Sequence, residues 1–252
     1  MLSALVDSLV YFPDRELYGD PGEVGLAFTD LTIATSDGER LAGWWIPTRV
    51  RPACAHVLFF HGNAGNIADR LERAKILATR FGLDVFLVDY RGYGLSQGSP
   101  SEEGLYRDAR AVSEAAVSAG FRGDQIVIFG ESLGAAVAVD LARRRPCAGL
   151  VIEAPFLSIP EIARVHYPFV PAFFVRSRFD NLSKIADVAV PKLFLVPELD
   201  EVVPPEHGRR LFEAARGIRE LSVVPGAHHS DAYVVAAEPY WKAWEKFLVA
   251  LP

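Results

Sequence analysis

The chain has 252 residues, half of them hydrophobic, with 26 Lys and Arg against 32 Asp and Glu, a net charge of −6 and a pI of about 5.6. That length suits one large α/β domain or two small ones and supplies a sizeable core in either case. The acidic balance, with no long run of like charge, excludes a global basic field, so nucleic acid is not expected as a partner.

The chain opens "MLSALVDSLVYFPDREL", where Leu2, Leu5, Val6, Leu9 and Val10 form one stripe of a short helix. The stripe is too short to span a membrane, and it lacks the basic n-region and small-residue cleavage site of a secretory signal. An intracellular, soluble protein is therefore expected, with residues 1–30 as an extension docked on the body; weak contact of the stripe with a membrane surface is the alternative. Cys54 and Cys147 lie far apart and each precedes an apolar run, so both are expected as buried free thiols rather than as a bridge.

From residue 31 apolar runs alternate with amphipathic segments, without repeats or a charged linker, which favours a single domain over the whole chain, 1–252. "LTIATSDGERLAGWWIP" predicts two strands joined around Asp37-Gly38, a pair suited to a hairpin turn. "HVLFFHG", "DVFLVDY", "QIVIFGE", "GLVIEAPF", "KLFLVPE" and "ELSVVPG" follow, nearly continuous in apolar residues as strands buried on both faces must be. Helical patterns lie at 67–81, 102–119, 133–145, 206–216 and 238–250. The alternation predicts an α/β architecture: an eight-stranded, mostly parallel sheet with helices on both faces. Residues 157–190, rich in Phe and Pro, interrupt the rhythm as a small cap-like insertion that either roofs a pocket at the carboxyl edge of the sheet or packs on the sheet for stability alone.

The pattern G-x-S-x-G occurs twice, as "GLSQG" around Ser96 and "GESLG" around Ser132. A nucleophile elbow needs a strand entering a tight turn and a helix leaving it, so that the serine Oγ stands above the sheet. Ser132 has both, between "QIVIF" and "AAVAVDLARR", with Gly130, Gly134 and Ala135 leaving room for a strained backbone. Ser96 leads into "GSPSEEG" and reads as a loop.

A serine nucleophile needs a histidine base and a carboxylate behind it, in the chain order serine, acid, histidine. Asp200 ends "KLFLVPE" and ranks first as the acid, ahead of Glu153 and then Glu201. His228 and His229 end the next strand, "ELSVVPG", so all three groups fall on the same edge of the sheet. Residue chemistry leaves the two histidines undecided. For an oxyanion, Leu133 after the nucleophile supplies one backbone N–H, and Asn63 in "FFHGNAGN", with Ala64 beside it, supplies the other. His61 is expected to brace that loop rather than carry protons.

In this order, "HGNAGN", "DYRGYG", "GESLG", "LDEVVP" and "GAHHSD" resemble the α/β-hydrolase superfamily, over nearly the whole chain. The likeness is nearer to the branch of α/β-hydrolase domain proteins that includes protein depalmitoylases and bacterial serine hydrolases. It implies Ser132 as nucleophile, Asp200 as acid, and Asn63 and Leu133 at the oxyanion hole. In such proteins the last motif often reads Gly, small residue, Gly, His, Asn, Asp, which selects His229 and puts His228 where glycine is usual. It also implies an open, aromatic-lined acyl site.

The expectation is a serine hydrolase that cleaves carboxylic esters or thioesters of a small or acylated substrate, with no metal and no organic cofactor. A serine peptidase on short peptides is the rival, although Glu131, Glu153, Arg91 and Arg176 offer no clear pair to grip a charged terminus. A non-catalytic binding module on the same fold would usually lack a member of the triad. A metal hydrolase using His228, His229 and Asp231 would lack the H-E-x-x-H spacing.

Overall fold

The structure, a computed structural model, describes residues 10–167, 169 and 177–251. In chain order its elements are β1 (Phe12–Pro13), β2 (Thr29–Ala34), β3 (Arg40–Ile46), β4 (Ala55–Phe60), β5 (Ala64–Gly65), α1 (Leu71–Arg80), β6 (Leu83–Val88) and α2 (Glu102–Ser118). They continue with β7 (Ile126–Glu131), α3 (Leu133–Arg144), β8 (Gly149–Glu153), α4 (Ile159–His166), β9 (Lys192–Pro197), α5 (Pro205–Ala214), β10 (Arg219–Val224), α6 (Ala232–Val235) and α7 (Ala237–Val249).

Eight strands form one sheet in the order β10-β9-β8-β7-β4-β6-β3-β2. Only β3 runs against its neighbours; all other pairs are parallel. The turn between β2 and β3 closes at Asp37-Gly38, where Gly38 takes a φ of 93° and Thr35 Oγ1 donates to Asp37 Oδ1 and accepts from the Glu39 N–H. Sequence and structure agree on the sheet because a strand covered on both faces must be apolar at every position.

The two-residue period of the strands then divides the core. Val57, Phe59, Val127 and Phe129 face α1 and α7, while Leu58, Phe60, Ile128 and Leu150 face α2 and α3. On the first side α7 contributes Trp241 and Trp244, almost wholly buried. Removing either indole should cost about 3–5 kcal/mol. Several helices start where a polar side chain takes a free N–H: Ser101 accepts from Gly104 N and Ser158 from Glu161 N.

Three features depart from the sequence reading. Residues 67–80 are not one continuous helix: Asn66 caps a single 3-10 turn (Ile67–Arg70), and α1 begins after it. β1 and β5 form an additional two-stranded parallel ribbon. Strands of two residues carry no periodicity to read. Cys54, expected to be buried, is exposed just before β4, whereas Cys147 is buried; both are free thiols. Most of the N-terminal stripe, Leu2 to Leu9, lies outside the described residues; Val10 is buried. Arg176 and part of the insertion at 157–190 lie outside them too. No helix among the described residues is long and apolar enough to cross a membrane.

Candidate active site

β7 ends at Glu131 and α3 begins at Leu133, so the whole turn rests on Ser132, whose backbone adopts φ 51° and ψ −113°. A non-glycine residue at positive φ stores about 1–3 kcal/mol of strain and persists only where its surroundings hold it. Here they do: Ser132 N–H donates to Glu153 O at 2.9 Å. A Cβ on Gly130 would lie 2.1 Å from Gly134 O, and one on Gly134 would lie 2.0 Å from Phe60 O. The backbones of β7, α3 and β4 therefore touch, which is why those positions are glycine. Ser96 has a different role. It is fully buried, its Oγ donating to Asp89 O at 2.8 Å and accepting from Ala42 N at 2.9 Å, so it ties β3 to the loop after β6.

Ser132 Oγ lies 3.0 Å from His229 Nε2, and His229 Nδ1 lies 2.9 and 2.8 Å from the two oxygens of Asp200. Asp200 is itself held by the N–H groups of Val202 and Val203, which donate to Oδ1 at 2.9 and 2.7 Å. The acid and histidine loops are stitched to each other by Leu199 N–H donating to Ala227 O. Burial opposes charge on His229, yet its hydrogen bond to Asp200 and the charges of Asp200, Glu131 and Glu153 hold its pKa above the ordinary histidine value.

His228 points elsewhere: its ring is exposed and pairs with Glu201 at 3.1 Å, while its N–H donates to Asp231 Oδ1. The Glu201 carboxylate therefore meets the ring of His228, and not the ring of His229. Among the described residues no group of three or more His, Cys, Asp or Glu side chains could hold a metal ion.

Leu133 is the first residue of α3, where an N–H has no intrahelical partner. Among the described residues, no acceptor takes the N–H of Leu133 or of Asn63. Asn63 and Ala64 line the cavity beside Ser132. His61 is fully buried beneath this loop, with Nδ1 2.7 Å from Gly62 O and its ring centroid 4.4 Å from Tyr90 and 5.3 Å from Tyr93. It braces the loop and does not reach Ser132 by any described hydrogen bond.

Behind Ser132 lies a charge network that no motif announced. Arg70 pairs with Glu131 at 2.6 Å, and Arg73 pairs with Glu131 and, at 3.0 Å, with Glu153. Tyr240 Oη donates to Glu153 Oε2 at 2.6 Å, and Arg73 lies 4.3 Å from the centroid of the Tyr233 ring. Burial alone would raise the Glu131 pKa, but the two guanidiniums hold it well below the usual carboxylate range. Glu153 behaves oppositely, burial raising it against the pull of Arg73. Glu131 also accepts the Gly62 N–H at 2.9 Å, so the network reaches the Asn63 loop. Glu153, second choice for the acid, belongs to this network and makes no hydrogen bond to His229. The missed residues sit three apart, Arg70 ending the 3-10 turn and Arg73 in the first turn of α1, a spacing that many helices share.

Ser132, His229 and the Asn63 loop open on a cavity of about 630 Å³. Its lining is part apolar, with Phe12, Leu133, Phe156, Ile159, Ile162 and Val203, and part polar, with Asp69, Arg70, Arg73, Glu131, Glu153 and Ser230. The insertion at 157–190 thus reaches the cavity through Ile159 and Ile162 of α4.

A family model described as serine aminopeptidase, S33, matches residues 51–182. An uncharacterised protein of Mycobacterium tuberculosis is 39% identical over 242 residues, covering 95% of this chain and 86% of its own. The α/β-hydrolase domain-containing protein WAV2 of Arabidopsis thaliana is 34% identical over 275 residues, covering 98% and 89%. Among solved structures, an esterase of Pyrococcus furiosus superposes with a TM-score of 0.79 over 96% of this chain and 98% of its own, at 20% identity, a likeness of fold.

Proposed function

Since the chain belongs to the α/β-hydrolase superfamily, we propose that it is a serine hydrolase that cleaves carboxylic esters or thioesters through an acyl-enzyme. The observation that carries this reading is the unbroken line from Ser132 Oγ to His229 to Asp200, with every separation between 2.8 and 3.0 Å. His229 Nε2 takes the Ser132 proton as Oγ attacks the substrate carbonyl carbon, and Asp200 stabilises the resulting imidazolium. The oxyanion faces the N–H groups of Leu133 and Asn63, at the positive end of α3. As the tetrahedral intermediate collapses, His229 returns the proton to the leaving alcohol or thiol. Water then attacks the acyl-serine, with His229 again as base, and frees the acid.

The apolar lining of Leu133, Phe156, Ile159 and Ile162 suits an acyl chain. A peptidase remains the second reading, favoured by the description of the matched family. An aminopeptidase needs a free carboxylate for the substrate ammonium, and here Glu131 and Glu153 are engaged by arginines while Asp69 accepts from Asn66 N–H and pairs with Arg70. Esters need no such grip.

The test is labelling by a fluorophosphonate, with turnover of acyl esters and thioesters of graded length measured beside amino-acyl anilides. Labelling and ester cleavage that vanish in Ser132→Ala support the reading. Ester turnover retained by that variant sinks it, and anilides cleaved faster than esters would favour the peptidase.

A further inference from the structure

The serine hydrolase reading leaves one sequence motif without work: "DYRGYG", the loop after β6. Its second tyrosine, Tyr93, donates its hydroxyl proton to Asn63 Oδ1 at 2.9 Å. The same oxygen accepts the backbone N–H of Phe12 at 3.1 Å. A carboxamide oxygen has two lone pairs, so both are used, and the side chain of the residue expected to supply the second oxyanion donor is fixed from two sides.

The strand that supplies Phe12 lies along the same loop. β1 pairs in parallel with β5, Phe12 opposite Ala64 and Pro13 opposite Gly65, and Asp14 N–H donates to Gly65 O at 3.3 Å. Asp14 O accepts from Gly94 N–H at 2.8 Å, and Asn66 Nδ2 donates to Glu16 O at 2.7 Å. Residues 12–16 therefore bind both the tyrosine loop and the oxyanion loop, and hold them together.

Val10 and Tyr11, just before the strand, are packed in the core, but Phe12 is not. The ring of Phe12 is 55% exposed, so a two-residue strand gains little by burial. What it contributes is a donor aimed at Asn63. The oxyanion loop needs such a hold: Gly65 has a φ of 76°, and an oxyanion donor must be placed to within a fraction of an ångström before the charge develops.

We propose that β1 and Tyr93 form a clamp that positions the oxyanion loop, with the Phe12 N–H and the Tyr93 hydroxyl as its two jaws on Asn63. The proposal rests on the acyl-enzyme reading above. Both are positioning groups, since neither touches the reacting atoms. The clamp makes the N-terminal strand a working part of the site, contributed from outside the eight-stranded sheet.

The test compares Phe12→Pro with Phe12→Ala. Both lose the ring, but only proline loses the N–H. Tyr93→Phe removes the other jaw while keeping the ring buried. Each is assayed on a short-chain acyl ester for kcat, KM and pH profile, with a boronic acid as a mimic of the tetrahedral state, and checked for folding by thermal melting.

The expected result is a kcat at least about tenfold lower for Phe12→Pro than for Phe12→Ala, and for Tyr93→Phe than for the unaltered protein. KM and the pH of the rising limb should hold while boronate affinity falls, because the triad itself is untouched. A displaced triad would move the pH limb and overturn the clamp. So would folded Phe12→Pro and Tyr93→Phe variants within about twofold of their references in kcat, while Ser132→Ala is inactive. An active Ser132→Ala variant would instead overturn the hydrolase reading on which the clamp rests.

Discussion

Ser96 and Ser132 sit in the same five-residue pattern and have opposite fates. Around Ser132 the flanking glycines let three backbones converge and leave the hydroxyl facing a cavity. Around Ser96 the glycines make a turn, and the hydroxyl is buried with both a donor and an acceptor satisfied. The pattern states only that the backbone near a serine is unusual. The elements before and after it decide whether that serine is a reagent or a fastener.

The contrast is sharpest in kinetics. Ser132→Ala should lower kcat by at least roughly 10³-fold, and Ser96→Ala should leave the chemical step in place. Folded Ser96→Ala protein without activity would break the comparison. The histidine pair repeats it one step down: His229→Ala should nearly abolish ester turnover, while His228→Ala, which removes only an exposed contact with Glu201, should leave kcat within about twofold.

Glycine substitutions extend the comparison to folding. Gly134→Ala sets a Cβ against backbone that cannot yield, so chemical denaturation should report a loss of several kcal/mol, on the order of 3 or more, or no folded protein. Gly120→Ala meets nothing within 4 Å and carries only the strain of its φ of 96°, so about 1–2 kcal/mol is expected.

A subtler effect follows from protonation. A histidine that acts as general base must be neutral, and the folded His229 pKa is raised, so the proposed role predicts that kcat/KM rises with pH through a limb above about 6.5. The same shift stabilises the folded imidazolium form. That contribution is complete below the unfolded histidine value and is lost as pH climbs through the folded one. A limb at or below the ordinary value would contradict the pairing with Asp200. Ser96→Ala should also lose about 1–3 kcal/mol of stability, because Ala42 N–H loses its acceptor.

The sheet was legible because burial on both faces writes itself as continuous apolar runs, and the elbow because a strand and a helix visibly abut Ser132. Asp200 and the histidine pair could be singled out from their position at strand ends. The choice between His228 and His229 was not open to residue chemistry: adjacent side chains on a loop point apart, and only the family resemblance favoured one. β1 and β5 are too short to carry a period, and Arg70 and Arg73 acquire meaning only through Glu131 and Glu153, which lie more than fifty residues away in the chain. The exposure of Cys54 depends on where its strand begins, the least readable property of any element.

The contact between Gly134 and the carbonyl of Phe60 also sets where this molecule can be altered. With the helix that follows Ser132 seated directly on the strand that leads into the Asn63 loop, neither Gly130 nor Gly134 can take a larger residue. Cavity-lining positions away from that contact, such as Ile159 and Ile162 on α4, are the ones where side-chain size can change. A library confined to those α4 positions could explore new substrates while every variant kept the same charge array.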